Sequence, residues 1–257
     1  MKTSYKVLTT AVLVASVLGA SASFAAEEDQ KTTSKGKVTF EPATGEGSVT
    51  PPAEPEKPGK PIFPWDPTDP EGKPQPGGQG PLSIDFASSF DFGKQEIVSG
   101  DRHYKAASQL ASKTPIEDGK APETSVPNFV QITDSRGTEA GWTLSVTQEE
   151  QFKTAKNKVL TGGVVTLGNT NFYSHSESAA AEGRTEVVLA PGKKEVIMVA
   201  KEGTGAGTQF AQWGTEETDN GAESVDLFVP GGTTKYAQEY TTVFNWELSE
   251  EIANQEK

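Results

Sequence analysis

Gly141-Trp142-Thr143-Leu144-Ser145-Val146-Thr147 alternates apolar and polar side chains without a break. Successive side chains of an extended chain point to opposite faces, so Trp142, Leu144 and Val146 share one face. The pattern returns 104 residues later, where Tyr240, Thr242, Phe244, Trp246 and Leu248 share a face and Trp246-Glu247-Leu248 repeats the Trp-x-Leu order. Each run reads as a half-buried strand.

Other runs carry the same period. Leu82-Ser83-Ile84-Asp85-Phe86 alternates, and Phe90 and Phe92 keep its parity. Val130 and Ile132 precede the turn Asp134-Ser135-Arg136-Gly137. Val187–Leu189 and Val196–Val199 flank Pro191-Gly192, and Val225, Leu227 and Val229 stop at Pro230-Gly231-Gly232. Two stretches, Tyr104–Ala111 and Glu149–Leu160, have spacings that predict short helices. The expected fold is all-β: an antiparallel sandwich-like or barrel-like single domain over 82–257 with few short helices.

The N-terminal side differs in texture. Lys2 and Lys6 precede a short uncharged apolar run, and Ser23 and Ala25 stand at the small-residue positions of a signal-peptidase site. The run is shorter than the ~20 residues that span a bilayer. A secretory signal peptide over 1–25 is expected. Its loss removes Lys2 and Lys6 and no acid, taking the net charge from −13 to −15. Residues 26–81 are expected to be a disordered, proline-rich spacer, with 12 of the 17 prolines between 41 and 81. Within it, Pro61-Ile62-Phe63-Pro64-Trp65-Asp66-Pro67 concentrates three large apolar side chains. Ile62, Phe63 and Trp65 are therefore candidate contacts for a partner, for a glycan or for the chain's own domain. The polar C-terminus Glu251–Lys257 has no LPxTG motif and no apolar tail, so release or non-covalent retention is expected.

Composition narrows the function. A net charge of −13 argues against nucleic-acid binding. The absence of cysteine excludes disulfides, thiolate metal sites and a cysteine nucleophile. His103 and His175 are 72 residues apart without metalloenzyme spacing. No Gly-x-Ser-x-Gly elbow occurs. The acid pairs Glu149-Glu150 and Glu216-Glu217 read as solvated charges rather than glycosidase carboxylates facing across a cleft. Gly203-Thr204-Gly205-Ala206-Gly207 lacks phosphate-loop spacing and reads as a loop between strands. No catalytic residue, cofactor or metal site is expected. Asp85, Asp91 or Asp134 could contribute to a calcium site, but they fit no EF-hand pattern.

With the paired Trp-x-Leu motifs in such surroundings, the sequence resembles the WxL family of Gram-positive cell-surface proteins, in its small WxL form. The resemblance rests on Gly80-Pro81-Leu82-Ser83-Ile84-Asp85-Phe86, on Val126–Gly137, on Gly141–Val146, on Val229-Pro230-Gly231 and on Tyr240–Leu248, with Pro64-Trp65-Asp66-Pro67 in the spacer. It implies a non-catalytic, secreted, cell-wall-associated protein whose WxL domain over 82–257 attaches non-covalently to peptidoglycan. It also implies partners: a membrane-anchored WxL-interacting protein, larger WxL surface proteins and, through adhesion, host or plant matrix. Retention by those proteins rather than by glycan is the alternative expectation.

Two readings of the motif remain open. Exposed Trp142 and Trp246 could stack on sugars, as a glycan platform. Their apolar same-face neighbours, Leu144 and Leu248 among them, favour the core instead. Trp213, in Gln209-Phe210-Ala211-Gln212-Trp213-Gly214, is a further candidate aromatic contact.

Overall fold

The computed structural model describes residues 32–42, 49–117, 119–218 and 220–253. The signal peptide expected at 1–25 lies outside the described residues. The chain divides into two units, 1–39 and 40–257. Of the first, residues 32–39 carry no regular structure and are exposed. All described strands belong to the second.

In chain order, β1 (Phe63–Pro64), β2 (Leu82–Ala87), β3 (Arg102–Lys105), β4 (Gln109–Ser112) and β5 (Ser125–Val126) come first. β6 (Phe129–Asp134), β7 (Trp142–Gln148), β8 (Val164–Leu167), β9 (Thr170–Ser174) and β10 (Glu182–Gly183) follow. β11 (Val187–Leu189), β12 (Lys194–Ala200), β13 (Gly207–Trp213), β14 (Val225–Val229) and β15 (Phe244–Ser249) complete the set. The strands form sheets of order β2-β6-β13-β9, β10-β12-β7-β15 and β11-β8-β14-β3, with a small sheet β1-β4-β5. Every pairing among them is antiparallel. The architecture is all-β, as the alternation predicts.

One apolar core joins the three larger sheets. Val130 and Ile132 of β6, Trp213 of β13, Trp142 and Leu144 of β7, Val165 and Leu167 of β8 and Leu227 of β14 are all buried in it. An aromatic chain runs through it: Phe90 meets Trp213 edge-on at 5.7 Å and Phe244 at 5.3 Å, and Trp213 lies 5.9 Å from Trp246. Such contacts add roughly 0.5–1.5 kcal/mol each beyond area burial.

β6 is buried along its whole length, on both faces. Its second face is covered by the proline-rich segment. Ile62 enters a second apolar cluster with Phe86, Ala111, Val126, Phe129 and Phe210. The Ala53 amide donates to Gln131 Oε1 at 2.8 Å, and Gln131 Nε2 donates back to the Pro51 carbonyl at 3.1 Å. Gln212 Nε2 donates to Glu56 Oε1 at 2.6 Å. Phe63–Pro64 then pairs with Ser112 and Ala111 as an edge strand. The expectation of a disordered spacer up to residue 81 is therefore corrected from Pro51 onward: the segment straps the domain, the own-domain docking that the Ile62–Trp65 motif left open. Proline bars helix and central strand, but its carbonyl still accepts, and an edge strand tolerates its missing donor.

Both expected helices are strand or hairpin instead, and no α-helix occurs among the described residues. Tyr104–Ala111 splits into the end of β3, a break and β4, because pairing with β14 and β1 outweighs a weak local helical preference. In Glu149–Leu160, Thr154 Oγ1 accepts from the amides of Lys156 and Lys158 at 3.3 and 3.1 Å. Asn157 takes a left-handed φ of 57°. The side chain thus offers the backbone an alternative to the helix, and a tight hairpin closes with Lys153 opposite Val159.

Candidate functional site

The motif residues belong to the fold before anything else. Trp142 is fully buried, and its indole N–H donates to the Gly205 carbonyl at 3.1 Å. Gly205 has φ +77°, and a Cβ there would come within 2.3 Å of Ala200 Cβ and 3.1 Å of Trp142 Nε1. The loop expected at Gly203–Gly207 therefore seals the tryptophan. Leu144 is fully buried, while Trp246 and Leu248 are half-buried against the same core. Of the two readings, the structure gives core for Trp142 and Leu144.

Trp213 is corrected as a contact candidate: it has no exposed surface and packs between Phe90 and Trp246. Ile62 is likewise 2% exposed. Phe63 and Trp65 are half-buried. Trp65 is clasped from both sides. Its amide donates to the Leu110 carbonyl at 2.9 Å, its carbonyl accepts from Gln109 Nε2 at 2.8 Å, and Gly72 lies against its ring. Asp66 accepts from the Thr68 amide and hydroxyl and from Ser89 Oγ, which closes the turn. The strap motif thus docks on the chain's own domain.

Asp85, Asp91 and Asp134 point to separate partners. Asp85 is buried and accepts from Ser83, Gln131 and Thr133. Asp134 pairs with Arg136, and Asp91 accepts from the Gly93 amide. His103 faces Asp226 at 2.6 Å, whereas His175 Nε2 meets the Pro55 carbonyl at 2.9 Å.

Surface chemistry is concentrated elsewhere, between the β7–β8 and β14–β15 connections. The hairpin after β7 is anchored by Phe152 and Leu160 in the core, and the Leu160 amide donates to the Phe152 carbonyl at 2.8 Å. Thr233 Oγ1 donates to the Thr161 carbonyl at 2.6 Å and ties the two loops together. Lys235 Nζ donates to the carbonyls of Val98, Pro230 and Thr233 at 3.2–3.3 Å, fixing the second loop from beneath. Tyr240 Oη accepts from the Tyr236 amide at 2.9 Å. Between these loops lies an open hollow of about 550 Å³.

Its lining includes Asn157, Lys158, Val159, Thr161, Thr234 and Tyr236, with glycine and proline residues beside them. Tyr236 is 41% exposed, an uncommon exposure for an aromatic ring in this chain. Lys158 Nζ sits 5.5 Å from the centre of that ring, a cation–π geometry. No acid lines the hollow, although the chain as a whole is at −13. A ring face, one ammonium, hydroxyls and an amide suit reversible binding of a sugar or an anionic polymer. Motif reasoning missed these residues. The available signal was charge: 151–176 and 227–238 contain lysines and not a single acid.

A second cavity, of about 240 Å³, lies under the strap. Its charges are mutually satisfied: Lys57 pairs with Glu54 and Glu216, and Lys113 approaches Glu54 at 3.8 Å.

No curated protein and no solved structure matches the chain. A family model described as WxL domain surface cell wall-binding matches residues 27–251, strap and strands together. That family is a wall-binding rather than a catalytic one. On that match, with both Trp-x-Leu strands in one sheet, the chain belongs to the WxL family of surface, cell-wall-binding domains.

Proposed function

We propose that the protein is exported, loses residues 1–25 and is held non-covalently on the Gram-positive wall through the Tyr236–Lys158 hollow. The observation that carries this reading is an exposed ring beside an ammonium in an acid-free hollow of a strongly acidic chain. Long-range attraction to an anionic wall is absent at −15, so retention rests on short-range contacts. Screening over about 8 Å at physiological salt keeps the repulsion small. Tyr236 offers a face for a pyranose ring, Thr161, Thr234 and Asn157 offer hydrogen bonds, and Lys158 meets a carboxylate of the peptide stem. No proton transfer is needed.

The test is co-sedimentation of residues 26–257 with sacculi stripped of proteins and teichoic acids. Binding that falls for Tyr236→Ala supports direct glycan anchoring. Retention only on cells carrying protein partners sinks it. The strongly negative charge favours that second reading, retention through a membrane-anchored WxL-interacting protein and larger WxL proteins, with adhesion to host or plant matrix as the assembly's role.

A further inference from the structure

β15 hydrogen-bonds to a neighbouring strand, β7, on one side only, with β2 close by. The Glu149 amide donates to the Val243 carbonyl at 2.8 Å, which places Val243 and Glu149 in a hydrogen-bonded pair of the antiparallel ladder. Such pairs alternate, so Asn245, Glu247 and Ser249 bond to β7, and the amides and carbonyls of Phe244, Trp246 and Leu248 point outward. No other described segment bonds to them.

The remaining sheet edges are blunted in the usual ways. β1 contains Pro64, β5 and β10 have two residues, and β11 has three. β2 is broken by a bulge between Ile84 and Phe86, and β3 carries Arg102 and Lys105. β9 has its first amide bonded to the Thr185 carbonyl. β15 has six residues in unbroken register, with no proline and no lysine.

The same chain carries a segment shaped to cover such an edge. Lys37-Val38-Thr39-Phe40-Glu41 alternates, and Val38 and Phe40 are 72% and 89% exposed, the highest among the large apolar side chains described. In a strand laid beside β15, Val38 and Phe40 extend the apolar face of Phe244, Trp246 and Leu248. Lys35 and Lys37 then fall on the face of Asn245 and Glu247. The charge balance is modest: 35–41 holds Lys35, Lys37 and Glu41, whereas 241–253 holds Glu247, Glu250 and Glu251 and no cation, with Glu247 already paired to Lys194.

We infer that residues 35–41 of one molecule add as a strand to the β15 edge of a second copy. Donor and acceptor are different segments of the sequence, so the contact between two copies is heterologous, as in strand addition. This goes beyond wall binding and does not depend on it.

The test takes residues 26–257 and the variant V38K/F40K, whose changes are confined to exposed positions. Light-scattering mass across a concentration series should rise for the wild type and stay monomeric for the variant. Hydrogen exchange at the Phe244, Trp246 and Leu248 amides should be at least tenfold slower in the concentrated wild type than in the variant. A wild type that stays monomeric up to about 1 mM overturns the inference. So does association that V38K/F40K leaves intact, or protection that appears away from β15. Tyr236→Ala should leave the association unchanged, which separates this outcome from failure of the wall-binding reading.

Discussion

Leu144 on β7 and Leu248 on β15 are direct cross-strand partners. The closing residues of two motifs 104 positions apart thus meet on one ladder, and the repeated motif is a single structural unit. The two tryptophans are not equivalent within it. Trp246 stands opposite Val146, inside the ladder and against Trp213. Trp142 stands opposite Ala200 of β12 and is sealed by Gly205.

That asymmetry predicts unequal costs. Leu144→Ala should cost about 2–5 kcal/mol, as for a fully buried leucine, and Leu248→Ala less, because it is half-buried. The double variant should show a coupling of about 0.5–3 kcal/mol. Trp142→Phe should exceed Trp246→Phe, since it orphans the buried Gly205 carbonyl at about 1–3 kcal/mol. Urea denaturation measures all of these. Equal costs for the two tryptophans would contradict the assignment.

The strap should contribute to global stability. Ile62→Ala is expected to cost about 2–5 kcal/mol. Gly72→Ala should loosen the Trp65 clasp outright, because the new Cβ would lie 2.2 Å from the ring at a φ of +70°. Denaturation midpoints and limited proteolysis between Val49 and Pro81 read both effects. A strap cleaved without any change in midpoint would show that it lies on the domain without supporting it.

Much of this was legible before any coordinates. The period-2 runs at Leu82–Phe86, Gly141–Thr147 and Val225–Val229 became β2, β7 and β14, because one face of each is buried. Strands with two covered faces were not legible. Gln209–Trp213 lies in the middle of a sheet under the strap, so its glutamines are buried and hydrogen-bonded rather than solvated. The strap itself was illegible because proline content reports what a segment cannot form, not what it can lie against. Tyr236 was missed because a lone aromatic in a loop has no periodicity. Only the folded loops bring Lys158 to it.

For the hollow, Tyr236→Ala and Lys158→Ala should each weaken sacculus binding by roughly 3- to 10-fold, matching about 0.5–1.5 kcal/mol for one stacking or cation–π contact. Both side chains are exposed, so thermal midpoints should hold. Equilibrium pelleting at several protein concentrations measures the first and calorimetry the second. Unchanged affinity in both variants would remove the hollow from the wall-binding reading.

Acidity should move stability in two opposite senses. Burial pushes the Asp85 carboxyl above its ordinary value, against the hydrogen bonds from Thr133, Gln131 and Ser83. The folded state then binds more protons than the unfolded one between the two values. The Asp85 contribution is therefore greatest below about pH 4 and falls as pH rises through the folded value. Glu195 is held below its ordinary value, chiefly by the hydrogen bond from Lys193 and then by Arg184. Its contribution is complete above about pH 4.3 and is lost as pH falls through the folded value. A urea series from pH 3 to 8 on wild type, Asp85→Asn and Glu195→Gln separates them. Asp85→Asn should abolish the declining slope above about pH 4, and Glu195→Gln should abolish the loss below it. A wild-type Asp85 slope that rises with pH in that window would mean that its three donors outweigh burial.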